Sequence, residues 1–195
     1  IFEQIQQQFV EIQKTNPDKL KDISCLKQNA EFAGGLFLYQ FRYETYGNNS
    51  RENCHPFIRA NNFQTRHLVM EGNFNLTNVD ELFNKLLELG QHPREKADTV
   101  TVLEKVGHFV DEENERLFRQ FKAEGHSNSK ISELIAENMD VQRILNRSSK
   151  EWDGGYAMAG LIGHGDAFVF RDPSGIRPVY YYQDEEVVVV TSERP

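Results

Sequence analysis

The C-terminal part of the chain alternates short apolar runs with polar breaks. Four runs rich in β-branched and aromatic residues are separated by three breaks of four residues each. This spacing predicts an antiparallel meander of short strands. The predicted strands are Tyr156–Ile162, Ala167–Arg171, Ile176–Tyr182 and Val187–Thr191.

The last of these strands has no polar alternation from Val187 to Val190. Such a strand must be covered on both faces, and a layered arrangement of helices and sheets provides that cover. The break Asp172-Pro173-Ser174-Gly175 predicts a tight turn, because proline presets the backbone at the second position and Asp172 can bond back to the turn.

Further upstream, the hydrophobic spacing changes from helical to strand-like. An apolar stripe, made of Ile1, Ile5, Phe9 and Ile12, predicts an amphipathic first helix. A short polar helix is expected to begin near Pro17. Strands are predicted at Leu36–Tyr43, with an aromatic face expected in the core, and at Pro56–Ala60 and Arg66–Asn73.

A helical pattern dominates the middle of the chain. Asn78 is expected to cap a helix, with Glu81 closing a capping box. A polar helical pattern runs from Asp98 to Asn146, with a break at residues 125–129 and a second helix expected at Ile131–Leu145. The order of helix, strands, helices and meander predicts an α+β fold with helices packed on antiparallel sheet.

The charge of the chain argues against two classes of binding partner. The chain has 195 residues, with 22 Lys and Arg against 30 Asp and Glu, and a formal charge of -8. Without a basic block, nucleic acid and anionic membranes are not expected as partners. No apolar run approaches the roughly 20 residues that span a bilayer, so a cytoplasmic location is expected.

Cysteines and histidines give no sign of a metal site. The two cysteines, Cys25 and Cys54, lie in different segments without CxxC spacing, which predicts reduced thiols. The six histidines show no ligand spacing, so no metal is expected in this domain. Because Ile1 begins inside an amphipathic stripe, we also expect the chain to be a fragment of a longer protein.

Six segments at the ends of predicted elements carry polar residues in a distinctive order. They are Arg42–Gly47, Gly72–Asn78, Ala97–Thr99, Trp152–Tyr156, Asp172–Pro178 with Tyr180 and Tyr181, and Ser192–Glu193. In this order and spacing they resemble the class II glutamine amidotransferase domain, in particular that of the amidophosphoribosyltransferase family. The resemblance covers roughly Leu36 to Pro195.

The resemblance implies a fold and an activity. The fold would be the N-terminal-nucleophile hydrolase type, a four-layer αββα sandwich of antiparallel sheets, incomplete here at its N-terminus. Residues 1–195 would form a single amidotransferase domain with a helical insertion at about 98–147. The parent enzyme, a glycosyltransferase, would hydrolyse glutamine and pass ammonia to a downstream phosphoribosyltransferase domain that uses phosphoribosyl diphosphate and magnesium in purine synthesis.

The resemblance also implies roles for five residues. Arg42 would bind the α-carboxylate of glutamine, with Thr45 beside it, and Asp98 would bind the α-ammonium. Asn73 and the backbone N–H of Phe74 would form the oxyanion hole. An amino-acid zwitterion does need one guanidinium and one carboxylate held apart. From the residues alone, an arginine such as Arg42 is more often a surface ion-pair residue, Asp98 suits a helix N-cap equally well, and Asn73 and Asn75 suit a turn.

Three departures from the family pattern bear on activity. The family nucleophile is a cysteine at residue one whose α-amine is the base, and internal Cys25 and Cys54 carry amide nitrogens instead. Phe74 stands where the family has glycine, and its ring is expected to crowd the pocket. Gln40 and Glu44 replace the usual His and Ser. The fragment itself is therefore expected to be inactive.

Two alternatives remain open. One is the related domain of asparagine synthetase, although Arg177 in place of lysine favours the purine enzyme. The other is a non-catalytic binding or regulatory domain that kept the fold. Strands absent from the N-terminus would leave an open sheet edge, so a homo-oligomer is also expected.

Overall fold

The computed structural model describes residues 2–30, 33–40, 55–93 and 96–194, and divides the chain into two compact units, Ile1–Phe37 and Leu38–Pro195. The first unit is helical. It contains α1 (Phe2–Thr15), a 3-10 turn (Pro17–Lys21) and α2 (Ile23–Asn29), which confirms both predicted N-terminal helices.

The second unit combines strands and helices. Its elements in chain order are β1 (Phe57–Arg59), a 3-10 turn (Gln64–Arg66), β2 (Leu68–Leu76), α3 (Val79–Glu88), α4 (Asp98–Ala123), α5 (Asn128–Asn138), α6 (Val141–Ser149), β3 (Gly154–Ile162), β4 (Ala167–Arg171), β5 (Tyr180–Gln183) and β6 (Val188–Thr191). Both sheets are antiparallel, so the predicted α+β class is confirmed.

The strands pair differently from the predicted meander. One sheet has the order β1-β2-β3-β4, and β5 pairs with β6 in a separate two-stranded sheet. The single four-strand C-terminal meander was therefore wrong. The reason lies in the segment between β4 and β5, where Pro173 and Pro178 donate no backbone hydrogen bond and the N–H groups of Ile176 and Arg177 bind the side chain of Asp172.

The main core lies between one face of the four-stranded sheet and the helices. Leu68, Met158 and Ile162 of the sheet are at most 2% exposed and share one cluster with α3, α4 and α6. Their helical counterparts are Leu82, Val102, Val106, Val110 and Ile144. A second cluster joins α4 to α5 through Leu117, Phe121, Ile131 and Ile135.

Three further expectations were wrong in part. The helix predicted at Ile131–Leu145 is split, because the side chain of Asp140 accepts the N–H of Arg143 at 2.9 Å and begins a new helix. Residues 36–40 form no strand and the side chain of Phe37 is 47% exposed, while residues 41–43 lie outside the described residues. Val187–Val190 are 38–58% exposed, so no described residue covers both faces of that strand.

Candidate functional site

The site is organised by β2, whose side chains alternate between two faces of the sheet. Leu68, Met70 and Leu76 are buried against the helices. Glu71 and Asn73 point to the opposite face, where they lie beside Ala159 and Ala157 of β3. One face of β2 therefore builds the core, and the other presents polar groups.

Asn73 and Phe74 lie on opposite faces. Asn73 is exposed, whereas Phe74 is half-buried and packs against the core on the helical side, with its ring centroid 6.0 Å from that of His55. The expectation that the Phe74 ring crowds the pocket was therefore wrong for the Asn73 face. Phe74 also lies in extended strand, a conformation open to any residue.

The backbone N–H of Phe74 points toward the β1 edge of β2. The N–H of Gly72 donates to Nδ1 of His55 at 3.3 Å, and its carbonyl accepts from Gln40 Nε2 at 3.3 Å. Because amides two residues apart in a strand point the same way, the Phe74 N–H faces this edge too. The β1–β2 ladder stops at the Phe57–Met70 pair, so this N–H lies beyond it.

Asp98 opens α4 at its first helical position. Ala97 occupies the capping position, so the N-cap alternative for Asp98 was wrong by one residue. The Asp98 carboxylate nonetheless accepts the N–H of Thr99 at 2.8 Å and its hydroxyl at 3.2 Å. Its charge is thereby held at the positive end of the α4 dipole.

A small cavity joins the two predicted site segments. Its volume is about 10 Å³, roughly the space for one water molecule. Phe74 follows Asn73 and Thr99 follows Asp98, and both line this cavity. The remaining lining residues are His55, Phe57, Met70, Glu71, Val102, Leu103 and Met158. Met70, Phe74 and Met158 place this cavity on the helical side of the sheet, whereas Asn73 points to the other face, and neither Asn73 nor Asp98 lines the cavity.

Glu71 also lines this cavity, although its side chain lies on the opposite face of β2 from Met70 and Phe74, and the pKa of its carboxyl is shifted. Burial raises the pKa of its carboxyl to about 7. Its Oε2 atom is buried, and no described residue donates a hydrogen bond to it. Glu71 therefore exchanges its proton near neutral pH. The sequence signal that could have identified it is a lone carboxylate between Met70 and Gly72 in a strand.

The side chains of Thr77 and Asn78 anchor the junction that follows Asn73. Asn78 donates from Nδ2 to the Glu151 carbonyl at 2.8 Å and accepts the Asp153 N–H at 3.2 Å, while the Thr77 hydroxyl donates to the Asp153 carboxylate. Asn78 occupies the capping position of α3, but its side chain makes no cap hydrogen bond. The predicted capping box was wrong because this amide is used to hold β3 against β2.

The Asp172 turn is confirmed and more highly connected than predicted. Gly175 donates to the Asp172 carbonyl at 3.0 Å and has a φ of 67°, which suits glycine. The Asp172 carboxylate, 2% exposed, accepts the N–H groups of Ile176, Arg177 and Tyr156. Burial raises its pKa, but the three hydrogen bonds outweigh burial and hold that pKa below the ordinary value.

The remaining predicted residues are not placed by the structure. Arg42 and Thr45 lie outside the described residues, so their roles stay predictions.

Within the described ranges, no group of three or more His, Cys, Asp or Glu side chains is arranged to hold a metal ion. In the same part of the chain, no helix is long and apolar enough to cross a membrane.

Curated relatives align with most of the chain. No family model matches it. The amidophosphoribosyltransferase of Saccharomyces cerevisiae is 27% identical over 165 residues, which cover 85% of this chain and 28% of that protein. The amidophosphoribosyltransferase of Escherichia coli is 27% identical over 162 residues, covering 82% of this chain and 28% of that protein. The chain therefore spans little more than a quarter of the length of these relatives.

The fold has a counterpart among solved structures. A structure described as the allosteric regulatory enzyme of purine biosynthesis matches with a TM-score of 0.52 and 22% identity, covering 78% of this chain and 27% of that chain. At this identity the likeness establishes the fold alone. Sequence and fold together confirm the predicted resemblance to the glutamine amidotransferase domain of the amidophosphoribosyltransferase family.

Proposed function

We propose that this chain is a glutamine-binding amidotransferase domain. The observation that carries the proposal is the β2 edge beyond the Phe57–Met70 pair, toward which the Phe74 N–H points, with the exposed Asn73 side chain next to it on the polar face. Asn73 and the Phe74 N–H supply the oxyanion donors, Asp98 binds the α-ammonium, and Arg42 with Thr45 binds the α-carboxylate. Each oxyanion donor is typically worth about 3 kcal/mol of barrier.

In this proposal the parent protein is the complete enzyme. It hydrolyses glutamine here and delivers ammonia to a phosphoribosyltransferase domain elsewhere in its chain, where magnesium and phosphoribosyl diphosphate are used. The share of the relatives that this chain spans, 28% of the yeast protein, supports a further domain. The names of those relatives favour this enzyme over the asparagine synthetase alternative. A cytoplasmic location stays a prediction.

A calorimetric titration with L-glutamine tests the proposal. We expect binding that is stereospecific, so that D-glutamine does not compete, and that is weakened at least about tenfold in both Asn73→Ala and Asp98→Asn. The matched controls are Asn84→Ala, an exposed amide on α3, and Asp80→Asn, a carboxylate in the first turn of α3. Equal affinity in all four variants, or no binding to the unaltered chain, contradicts the proposal.

Binding without hydrolysis is the second candidate, and the location of Cys25 favours it. Cys25 lies inside α2, and its backbone N–H donates to the Asp22 carboxylate at 3.0 Å. That nitrogen is an amide and cannot act as the base that an N-terminal nucleophile requires. Cys54 is also internal and lies outside the described residues. We expect the 195-residue chain to release no glutamate from glutamine in a coupled assay.

A homo-oligomer stays part of the proposal, and the β5–β6 hairpin supports it. Tyr181 is 64% exposed and Val188 is 58% exposed, and an isolated two-stranded sheet is only marginally stable. Light scattering of the chain should therefore give a mass above 22.6 kDa that falls when Val188 is replaced by Glu. A monomeric mass at all concentrations contradicts self-association.

A further inference from the structure

One arginine lies against the Asn73 face of the sheet in a position that no predicted role explains. Gly155 of β3 pairs with Asn75 of β2 and therefore shares its face. A Cβ at Gly155 would lie 2.7 Å from Cγ2 of Ile176 and 3.7 Å from Cγ of Arg177. The absence of a side chain at Gly155 thus lets the chain after the Asp172 turn lie directly on this face.

The Asp172 carboxylate fixes Arg177 there. It accepts the N–H of Arg177 at 3.1 Å, that of Ile176 at 2.8 Å and that of Tyr156 at 3.2 Å. Tyr156 directly follows Gly155 in β3. The same buried carboxylate therefore ties the backbone of Arg177 to the strand beneath it, so the direction of the arginine is set before any ligand arrives.

The guanidinium of Arg177 has a buried hydrogen-bond donor that no described residue satisfies. Its Nε atom is buried, yet no described residue accepts a hydrogen bond from it. A guanidinium stays protonated in proteins, so the positive charge remains wherever it is placed. A buried donor without a partner is unfavourable for folding, which makes a purely structural role a poor explanation.

A second guanidinium strengthens the positive character of this region. A Cβ at Gly175 would lie 3.1 Å from Nη2 of Arg171. Arg171 pairs with Ala157, which in turn pairs with Asn73, so the three residues form one row across the sheet. Two arginines therefore lie on the face that carries the exposed amides of Asn73 and Asn75, which also carries the carboxylate of Glu71.

We propose that Arg177 is a further ligand-binding residue of this site, supplying a second guanidinium, besides that predicted for Arg42, to the carboxylate of a ligand on the Asn73 and Asn75 face. The inference deepens the proposed function and rests on it for the identity of the ligand. Guanidinium groups match carboxylates through two parallel N–H donors, and the neighbouring amides supply neutral donors beside them. Glutamine and its hydrolysis product glutamate both carry such a group.

The test separates this inference from the proposed function. L-glutamine, L-glutamate and inorganic phosphate are titrated separately into the unaltered chain, Arg177→Gln, Arg177→Lys and the control Arg143→Gln, whose exposed side chain lies on α6. Thermal unfolding of each variant accompanies the titrations. Arg177→Lys keeps the positive charge but loses the planar guanidinium with its parallel N–H donors. Its binding can therefore still be measured if the Gln variant does not fold.

We expect Arg177→Gln to weaken L-glutamine binding at least about tenfold without lowering Tm, Arg177→Lys to fall between, and Arg143→Gln to match the unaltered chain. Unchanged glutamine binding in Arg177→Gln, with or without a lower Tm, overturns the inference and leaves the proposed function standing. If the unaltered chain binds no glutamine, the proposed function fails. The arginine site then stands only if glutamate or phosphate binds and this binding is lost in Arg177→Gln. If none of the three probes binds, both the inference and the proposed function are overturned.

Discussion

The two faces of the four-stranded sheet have opposite characters although they share every strand. On the helical face, Leu68 and Met158 are at most 2% exposed and pack against α3 and α4. On the other face, Asn73 is exposed, Val169 is 41% exposed, and β3 contributes only small residues from Gly155 to Ala159 at its centre. The first face stabilises the domain by burying apolar surface, and the second leaves polar groups accessible.

This difference shows how a single strand can serve both stability and binding. Because side chains in β2 alternate, Phe74, where the resemblance implies a glycine, packs on the helical side without covering Asn73. A substitution that looks inactivating in the sequence is thus accommodated by the core. The two faces should therefore respond differently to mutation.

The largest effect is expected for Leu68→Ala on the helical face. Leu68 is fully buried, so its truncation should lower the free energy of unfolding by about 2 to 5 kcal/mol through lost burial and the cavity left behind. Val169→Ala on the other face is the control and should cost less than about 1 kcal/mol. Urea denaturation measures both. Equal losses would show that the two faces are packed alike.

The next effect is expected for Asp172→Asn at the turn beside the polar face. The amide cannot accept all three backbone N–H groups that the carboxylate holds, so Tm should fall by several degrees. Asp184→Asn is the control, because its exposed carboxylate also accepts two turn N–H groups. Similar Tm values for the two variants would contradict the clamping role of Asp172.

Glu71 gives the polar face of the sheet a pH-dependent stability. Its folded-state pKa of about 7 lies above the ordinary 4.5, so its contribution to stability is full below 4.5 and is lost as pH rises through 7. The free energy of unfolding should fall by about 2 kcal/mol between pH 5 and 8. Glu71→Gln should remove this fall, whereas Glu88→Gln on α3 should retain it. A flat profile in the unaltered chain would contradict the raised pKa.

The smallest effect is expected at Glu151, whose carboxylate forms ion pairs with Lys85 Nζ at 2.8 Å and with Lys105 Nζ at 3.1 Å. Hydrogen bonds from these lysines lower the pKa of Glu151 to about 2, so its contribution is present above 4.5 and is lost as pH falls through about 2. The carboxylate is 47% exposed, and solvent screening limits the effect of Glu151→Gln at neutral pH to about 1 kcal/mol or less. Acid titration of unfolding, with Glu133→Gln as control, measures it. A larger acid loss in the variant than in the unaltered chain would contradict this pairing.

The periodic patterns predicted most elements of the fold. The helices α3 and α4 and the strands β2 to β4 follow from apolar spacing, because one side of each element is buried. The spacing also predicted α1, whose apolar stripe is partly exposed. The pairing of strands did not follow, because it depends on which backbone donors remain available. The Asp172 side chain takes the N–H groups of Ile176 and Arg177, and no propensity scale encodes that competition.

The sequence predicted which segments contribute to the candidate site, but not how their side chains are arranged. Motif order predicted site roles for Asn73 and Asp98, which stay predictions, and the structure places the residues that follow them, Phe74 and Thr99, at one cavity. It could not identify Glu71, whose raised pKa depends on burial by residues distant in sequence. Nor could it place Arg177, which reaches the site because Gly155 leaves space on a neighbouring strand. Such features arise from packing between elements and are therefore absent from local patterns.

The central claim is that ligand binds on the polar face of the sheet while the helical face serves the core. An assigned backbone amide spectrum of the chain, recorded during titration with L-glutamine, tests it most directly. The account predicts saturable shifts concentrated at Asn73, Phe74, Asp98 and Arg177, with the amides of α5 unchanged. Shifts concentrated in the α4–α5 cluster, or no shifts at millimolar glutamine, would contradict it.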